Sequence, residues 1–218
     1  MKVCTDSCIL GAWASLRIGG CTKLLDIGAG TGLLMLMLAQ RSEAEIHGIE
    51  IDADSFSQLE ENLKQKNPGI PFKVFNEDAR NFGTDPLYDC IISNPPFFEN
   101  DLLSITKGQQ LAKHSSELRL LELTEMIDRN LSTTGKFMLL LPFHRDEEFA
   151  KLAHTAGFYL QEKLVVRHTA QHDPFRVLVH YSRKPIEKLP EKLLTIKNLD
   201  GSYTNDFVEL LKDYYLHL

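Results

Sequence analysis

Short apolar runs alternate with longer amphipathic stretches along this chain, which predicts strands and helices in turn. Residues 23–28 read as a buried strand ending on a glycine turn, and residues 31–40 as an apolar helix after it. A second strand is predicted over 45–50 and a second helix over 53–66, stopped by Asn67-Pro68-Gly69. Residues 72–75 and 88–93 supply the third and fourth strands, and 135–141, closed by Pro142, the fifth. The stretch 94–113 carries no period and reads as a loop. Helical spacing returns over 116–131 and 146–156. Residues 159–167 and 175–182 read as an antiparallel pair at the sheet edge. After Lys184-Pro185 comes a short charged linker. A last helix over 204–218 puts Phe207, Leu210, Leu211, Tyr214 and Tyr215 on one face. The expected fold is α/β, a doubly wound and mostly parallel seven-stranded sheet with an antiparallel edge hairpin. Residues 1–184 are expected to form one domain, with 185–218 a linker and helix packed on it.

Composition narrows the function classes. With 218 residues, 43% hydrophobic and 25% charged, the chain has the make-up of a globular protein with a sizeable core. No apolar run approaches the ~18 residues of a membrane span, and the start shows no leader pattern, so a cytoplasmic location is expected. Cys4, Cys8, Cys21 and Cys90 are too scattered for a disulfide scaffold or a zinc site and read as buried reduced thiols. No metal is expected, and no stable protein partner is evident. A net charge of −6 excludes a general nucleic-acid coat protein but not an enzyme making a few phosphate contacts.

Two loops carry chemistry. The first is Asp26-Ile27-Gly28-Ala29-Gly30-Thr31-Gly32, between strand and helix. Its glycines permit a tight turn and close backbone approach to a ligand at the sheet's carboxyl edge. The dinucleotide fingerprint needs Gly-x-Gly-x-x-Gly, whereas position 33 is Leu. That departure, with Asp26 two residues ahead of Gly28, favours S-adenosylmethionine over a nicotinamide cofactor. Glu50, ending the second strand, is placed to accept hydrogen bonds from both ribose hydroxyls, and Asp52 beside it reads as a helix cap. Asp78 and Ala79, after the third strand, offer an acceptor for an adenine amino group and an N–H for a ring nitrogen.

The second loop is Asn94-Pro95-Pro96-Phe97, directly after the fourth strand. Two prolines stiffen it and remove two N–H donors. An exocyclic amine is a poor nucleophile because its lone pair is delocalised into the ring. If the Asn94 side-chain oxygen and the Pro95 carbonyl each accept one amine hydrogen, the nitrogen is drawn towards a pyramidal geometry and its lone pair is freed. Phe97 offers a face on which a base stacks, worth ~1–3 kcal/mol. Such a base must first leave its own stack.

With these motifs the chain resembles class I S-adenosylmethionine-dependent methyltransferases, which have a Rossmann-like fold, and among them the amino-methyltransferases that carry Asn-Pro-Pro-Tyr/Phe. It is most similar to the bacterial tRNA1(Val) (adenine-37-N6)-methyltransferase family. Three further stretches carry this likeness: Met1-Lys2-Val3-Cys4-Thr5-Asp6 with Leu10-Gly11-Ala12-Trp13, Ala112-Lys113-His114, and Tyr203-Thr204 with Asp213-Tyr214-Tyr215-Leu216. The resemblance implies a tRNA substrate and places Thr5 and Asp6 near the methionine end of the cofactor. It also implies that Gly28, Gly30 and Gly32 line the cofactor, that Glu50 holds the ribose, and that Asp78 and Ala79 hold the adenine. Asn94, Pro95, Pro96 and Phe97 would hold the target adenine. Cys4 stands where the family usually has glycine and Phe97 where tyrosine is commoner; family members usually have a short basic and aromatic segment ahead of this opening, and with Met1 at the opening either that segment is absent or the start was placed late.

From Lys163 to Lys192 there are seven Lys/Arg (Lys163, Arg167, Arg176, Arg183, Lys184, Lys188, Lys192) against three acids (Asp173, Glu187, Glu191). This hairpin reads either as a phosphate-contacting surface or as an edge strand protected by charge. His168 and His172 have no third ligand to make a metal site. The expected reaction is methyl transfer to N6 of a tRNA adenine. Guanine-N2 methylation of ribosomal RNA, glutamine-N5 methylation of a protein, and a cofactor-binding RNA module without turnover share the same motifs.

Overall fold

A computed structural model describes residues 4–64, 69–83, 85–95 and 120–217. Its strands are β1 (Lys23–Ile27), β2 (Glu45–Ile49), β3 (Phe72–Phe75), β4 (Tyr88–Ser93), β5 (Leu131–Pro142), β6 (Tyr159–Arg167), β7 (Arg176–Ser182) and β8 (Glu191–Thr195). They form one sheet in the order β3-β2-β1-β4-β5-β7-β6-β8. Only β7 is antiparallel to its neighbours, β5 and β6; every other pairing is parallel. The helices are α1 (Thr5–Ser15), α2 (Leu33–Ala39), α3 (Ala53–Lys64), α4 (Leu120–Asn130), α5 (Asp146–Thr155) and α6 (Asn205–Leu211).

Successive side chains on a strand face opposite ways, so each central strand feeds two cores. Leu24 and Met138 join Ile9, Trp13, Met35, Leu59 and Phe207 in the core beneath α1, α2, α3 and α6. Leu25 and Phe137 join Leu123, Ile127, Phe149 and Tyr181 beneath α4 and α5. Strands covered on both faces read as continuous apolar runs rather than as alternation, which is how β1 and β4 appear in the sequence. Strand order reverses between β1 and β4, and ligands of such sheets lie in the crevice at that reversal.

The structure departs from expectation in four places. Helix α1 falls in a stretch that carries no helical signal. Residues 8–15 are all buried, because α1 is apolar all round and packs on α2, α6 and β5. The supposed linker contains β8, so the sheet has eight strands and the β6–β7 hairpin is not its edge. In β8, Glu191, Lys192 and Leu193 are exposed and only Leu194 is buried. An edge strand with so little buried surface has a charged composition and no clear apolar period. Strand β5 begins at Leu131 rather than 135. The last helix ends at Leu211, although Tyr214 and Tyr215 still pack against the core as expected. Among the described residues no helix is long and apolar enough to cross a membrane.

Candidate active site

A cavity of about 500 Å³ opens at the carboxyl ends of β1, β2 and β4. The glycine loop forms its floor. Gly28, Gly30 and Gly32 have φ of 71°, 56° and 89°, left-handed values that a Cβ would strain. The loop is tied to β2 by Gly28 N and Ala29 N, both donating to Ile49 O at 2.9 Å. A side chain at Gly28 would meet no protein atom within 4 Å, so the space beside it is left for a ligand.

Glu50 is held in place by backbone. Its Oε2 accepts from Gly30 N at 2.7 Å and its Oε1 from Asp52 N at 2.8 Å. Those bonds fix both oxygens on the cavity wall and leave lone pairs for two hydroxyls. Asp52 caps α3, its Oδ1 accepting from Ser55 N at 2.8 Å, as expected. Asp78 and Ala79 line the cavity. Asp78 also accepts from Arg80 N at 2.9 Å, and Arg80 Nη2 donates to its Oδ2 at 2.6 Å. The Arg80 guanidinium holds the Asp78 carboxyl below its usual range.

Asn94 and Pro95 stand on the wall at the end of β4. Asn94 Nδ2 donates to Ser7 Oγ at 2.7 Å, and Ser7, on α1, lines the same cavity. With the amide nitrogen so engaged, Oδ1 is the free acceptor among the described residues. Ser93 beneath it is fully buried and donates to Ile27 O at 2.7 Å, locking β4 to β1. Across the cavity Arg176 Nε donates to Asp6 Oδ2 at 2.9 Å, closing α1 against the start of β7.

Of the expected site residues, Asp6, Gly28, Gly30, Glu50, Asp78, Ala79, Asn94 and Pro95 come together on the wall. Thr5, Asp26 and Gly32 are not on it. Pro96 and Phe97 lie outside the described residues, as does Ala112-Lys113-His114. Asp26 is fully buried, and neither oxygen has a hydrogen-bond partner among the described residues. Burial, with the Glu50 charge adding to it, pushes the Asp26 carboxyl up to about 8. Cys4 is exposed and on the cavity wall, not buried; Cys8 and Cys90 are buried and Cys21 half-buried, and all four are free. Ser7 and Arg176 are wall residues that the sequence reading missed or placed elsewhere. Both depend on α1, which has no periodic signal. Among the described residues no three His, Cys, Asp or Glu side chains converge as a metal site.

The basic hairpin also resolves differently from its sequence reading. Arg176 belongs to the cavity. Lys163 pairs with Asp146 at 2.5 Å and Arg183 with Asp128 at 2.7 Å. Lys184 and Lys188 lie between β7 and β8, at the amino edge of the sheet and away from the cavity.

A glycine loop after β1, an acid after β2 and Asn-Pro after β4, set around the strand-order reversal, define an S-adenosylmethionine-dependent methyltransferase of class I. The residues fit that cofactor: Glu50 presents carboxylate oxygens for the ribose hydroxyls, Asp78 and Ala79 stand on the same wall, and a Cβ at Gly28 would meet no protein atom within 4 Å. Residues 16–123 match the family model described as Methyltransferase small domain. A predicted O-methyltransferase from Agrobacterium tumefaciens superposes with a TM-score of 0.70 at 16% identity, covering 94% of this chain and 95% of that one. A glycopeptide N-methyltransferase complexed with S-adenosyl-L-methionine gives 0.60 at 12% identity, covering 82% and 95%. A tRNA1(Val) (adenine(37)-N6)-methyltransferase from Dyadobacter fermentans is 42% identical over 221 residues, covering 99% of this chain and 91% of the relative. The chain belongs to the tRNA1(Val) (adenine(37)-N6)-methyltransferase family.

Proposed function

We propose that this chain moves a methyl group from S-adenosylmethionine to the exocyclic N6 of an adenine in tRNA, position 37 of tRNA1(Val). When bound, S-adenosylmethionine supplies a methyl carbon made electrophilic by the adjoining sulfonium. Glu50 accepts from the ribose hydroxyls, and Asp78 and Ala79 meet the cofactor's adenine. Asp6, paired with Arg176, borders the methionine end. Asn94 Oδ1 and the Pro95 carbonyl each accept one hydrogen of the target amine, turning its lone pair towards the methyl carbon. Phe97 stacks on the target ring. The nitrogen–carbon bond forms as the carbon–sulfur bond breaks, and the amine's extra proton then passes to solvent. No strong base is needed, because placement supplies most of the rate. Acting on tRNA, the chain works in the cytoplasm.

The observation that carries this reading is the Asn94 amide, whose nitrogen is held by Ser7 so that its oxygen is left to accept. Ser7 is therefore a positioning residue. The test incubates the chain with methyl-labelled cofactor and unmodified tRNA transcript. Wild type is expected to label the tRNA. Asn94→Ala is expected to lower kcat by about 10²–10³-fold, the loss typical of one placed polar group, while cofactor affinity by calorimetry stays within a few-fold. Label entering only a protein fraction overturns the nucleic-acid reading, and equal loss of cofactor binding and turnover overturns the role of Asn94.

A further inference from the structure

The strand directions place a second feature on the cavity's edge. Strands β5, β6 and β8 run the same way, so their carboxyl ends share one rim with the start of β7. Along that rim the side chains are mostly aromatic and cationic, with the exposed acids Asp173 and Asp200 among them. Phe143, His168, His172, Lys197 and Tyr203 are all exposed. They form one connected ribbon. Phe143 N donates to Phe175 O at 3.1 Å, and the Phe175 ring stacks on His168 with centroids 4.0 Å apart and planes 10° from parallel. Lys197 N donates to His168 O at 2.8 Å, and Lys197 Nζ sits 5.3 Å from the centre of the Tyr203 ring, which is backed by buried Phe207 with centroids 4.7 Å apart. Arg167 donates to Thr195 Oγ1 and the Ala170 carbonyl, both neutral, so no acid among the described residues cancels its charge. The ribbon starts at the cavity, since Arg176, next to Phe175, is on the cavity wall. It crosses four strands, about 14 Å at the usual strand spacing.

We infer that this rim is the surface on which the RNA flanking the target base lies. Cations that meet no acid suit phosphates, and partly exposed rings held rigid by a ring behind them, as Phe175 backs His168 and Phe207 backs Tyr203, suit unstacked bases of a single-stranded loop. A protein partner calls instead for an apolar patch that excludes water at its centre. The inference rests on the tRNA reading above and adds where the RNA sits. It also replaces the wider basic hairpin with a narrower surface, because Lys184 and Lys188 face the opposite edge.

The test is fluorescence anisotropy of the full chain with labelled unmodified tRNA transcript, over a salt series, alongside methyl-transfer kinetics. Tyr203→Ala is expected to weaken tRNA binding roughly tenfold, the loss of one stacked base. Lys197→Ala is expected to weaken it several-fold and to lower the slope of log affinity against log salt by about one. Both raise KM for tRNA with kcat near wild type and leave S-adenosylmethionine affinity unchanged. The double variant Lys184→Glu/Lys188→Glu is expected to bind tRNA within about twofold of wild type, allowing for long-range charge alone. Melting temperature checks folding, and Tyr203→Leu, which keeps bulk but loses the aromatic face, stands in if Tyr203→Ala unfolds. Rim variants that bind like wild type, or a larger loss in the amino-edge pair, overturn the inference while tRNA methylation by wild type upholds the function. Absence of tRNA methylation by wild type overturns both.

Discussion

The two edges of this sheet use their polar groups in opposite ways. At the amino edge they are committed to one another. Arg17 Nε donates to Glu162 at 2.7 Å, its guanidinium lies 4.1 Å from the centre of the Trp13 ring, and Lys136 Nζ donates to its carbonyl. Asp89 Oδ2 accepts from Thr22 N, Thr22 Oγ1 and Lys23 N, joining the starts of β1 and β4. At the carboxyl edge the groups are held but not used up. Glu50 is fixed by two backbone N–H donors and Asn94 by one hydroxyl. An edge whose polar groups are satisfied within the chain contributes stability. An edge that leaves acceptors free gives up some stability and gains a binding site. Substitutions at the two edges should therefore separate folding from chemistry.

The largest expected effect is at the amino edge. The side chains of Arg17 and Glu162 are 15% and 17% exposed, so Arg17→Ala leaves a carboxylate unpaired in a poorly solvated place. That should cost about 3–5 kcal/mol in urea unfolding. Activity per folded molecule should not change; a fall in kcat would mean the edges are coupled. Next is Glu50→Ala, which removes a charged acceptor worth about 1.5–3 kcal/mol and should weaken S-adenosylmethionine binding roughly 10–100-fold by calorimetry. Equal binding by variant and wild type would contradict the ribose role. Most gradual is a pH effect, the smallest per step because it is spread over several pH units. Because the folded Asp26 carboxyl titrates near 8, above its value in the unfolded chain, the folded state keeps a proton that the unfolded state loses. Stability of the ligand-free chain should then fall as pH rises from about 4 to 8, by up to about 1.4 kcal/mol per pH unit, and level off above that. Asp26→Asn should flatten the slope; an unchanged slope would show that Asp26 is ionised in the folded state.

How much was legible in the sequence follows from the range of the forces involved. β4 has the predicted bounds because two-sided burial leaves Cys90-Ile91-Ile92 as an apolar run, and β3, an edge strand without a buried residue, because Phe72, Val74 and Phe75 are strand-forming residue types. The glycine loop, Glu50 and the Asn94-Pro95 turn were legible because backbone conformation and strand-end position constrain residue type locally. α1 was not, since burial on every side erases the period that marks a helix. β8 was not, since an edge strand with one buried residue looks like a charged linker. The Ser7–Asn94 and Asp6–Arg176 contacts join residues 87 and 170 positions apart, and no local pattern encodes them. The basic hairpin misled for the same reason: counting charges along 163–192 could not tell that Lys163 and Arg183 were paired, or that the stretch spans both edges.

The central claim is that the corner at the end of β4 activates an exocyclic adenine nitrogen. The most direct measurement is nucleoside mass spectrometry of unmodified tRNA1(Val) transcript after incubation with the wild-type chain and S-adenosylmethionine. The account predicts N6-methyladenosine, at position 37 alone. A methyl group found instead on guanine N2, on a ribose oxygen, or on no nucleoside at all would contradict it.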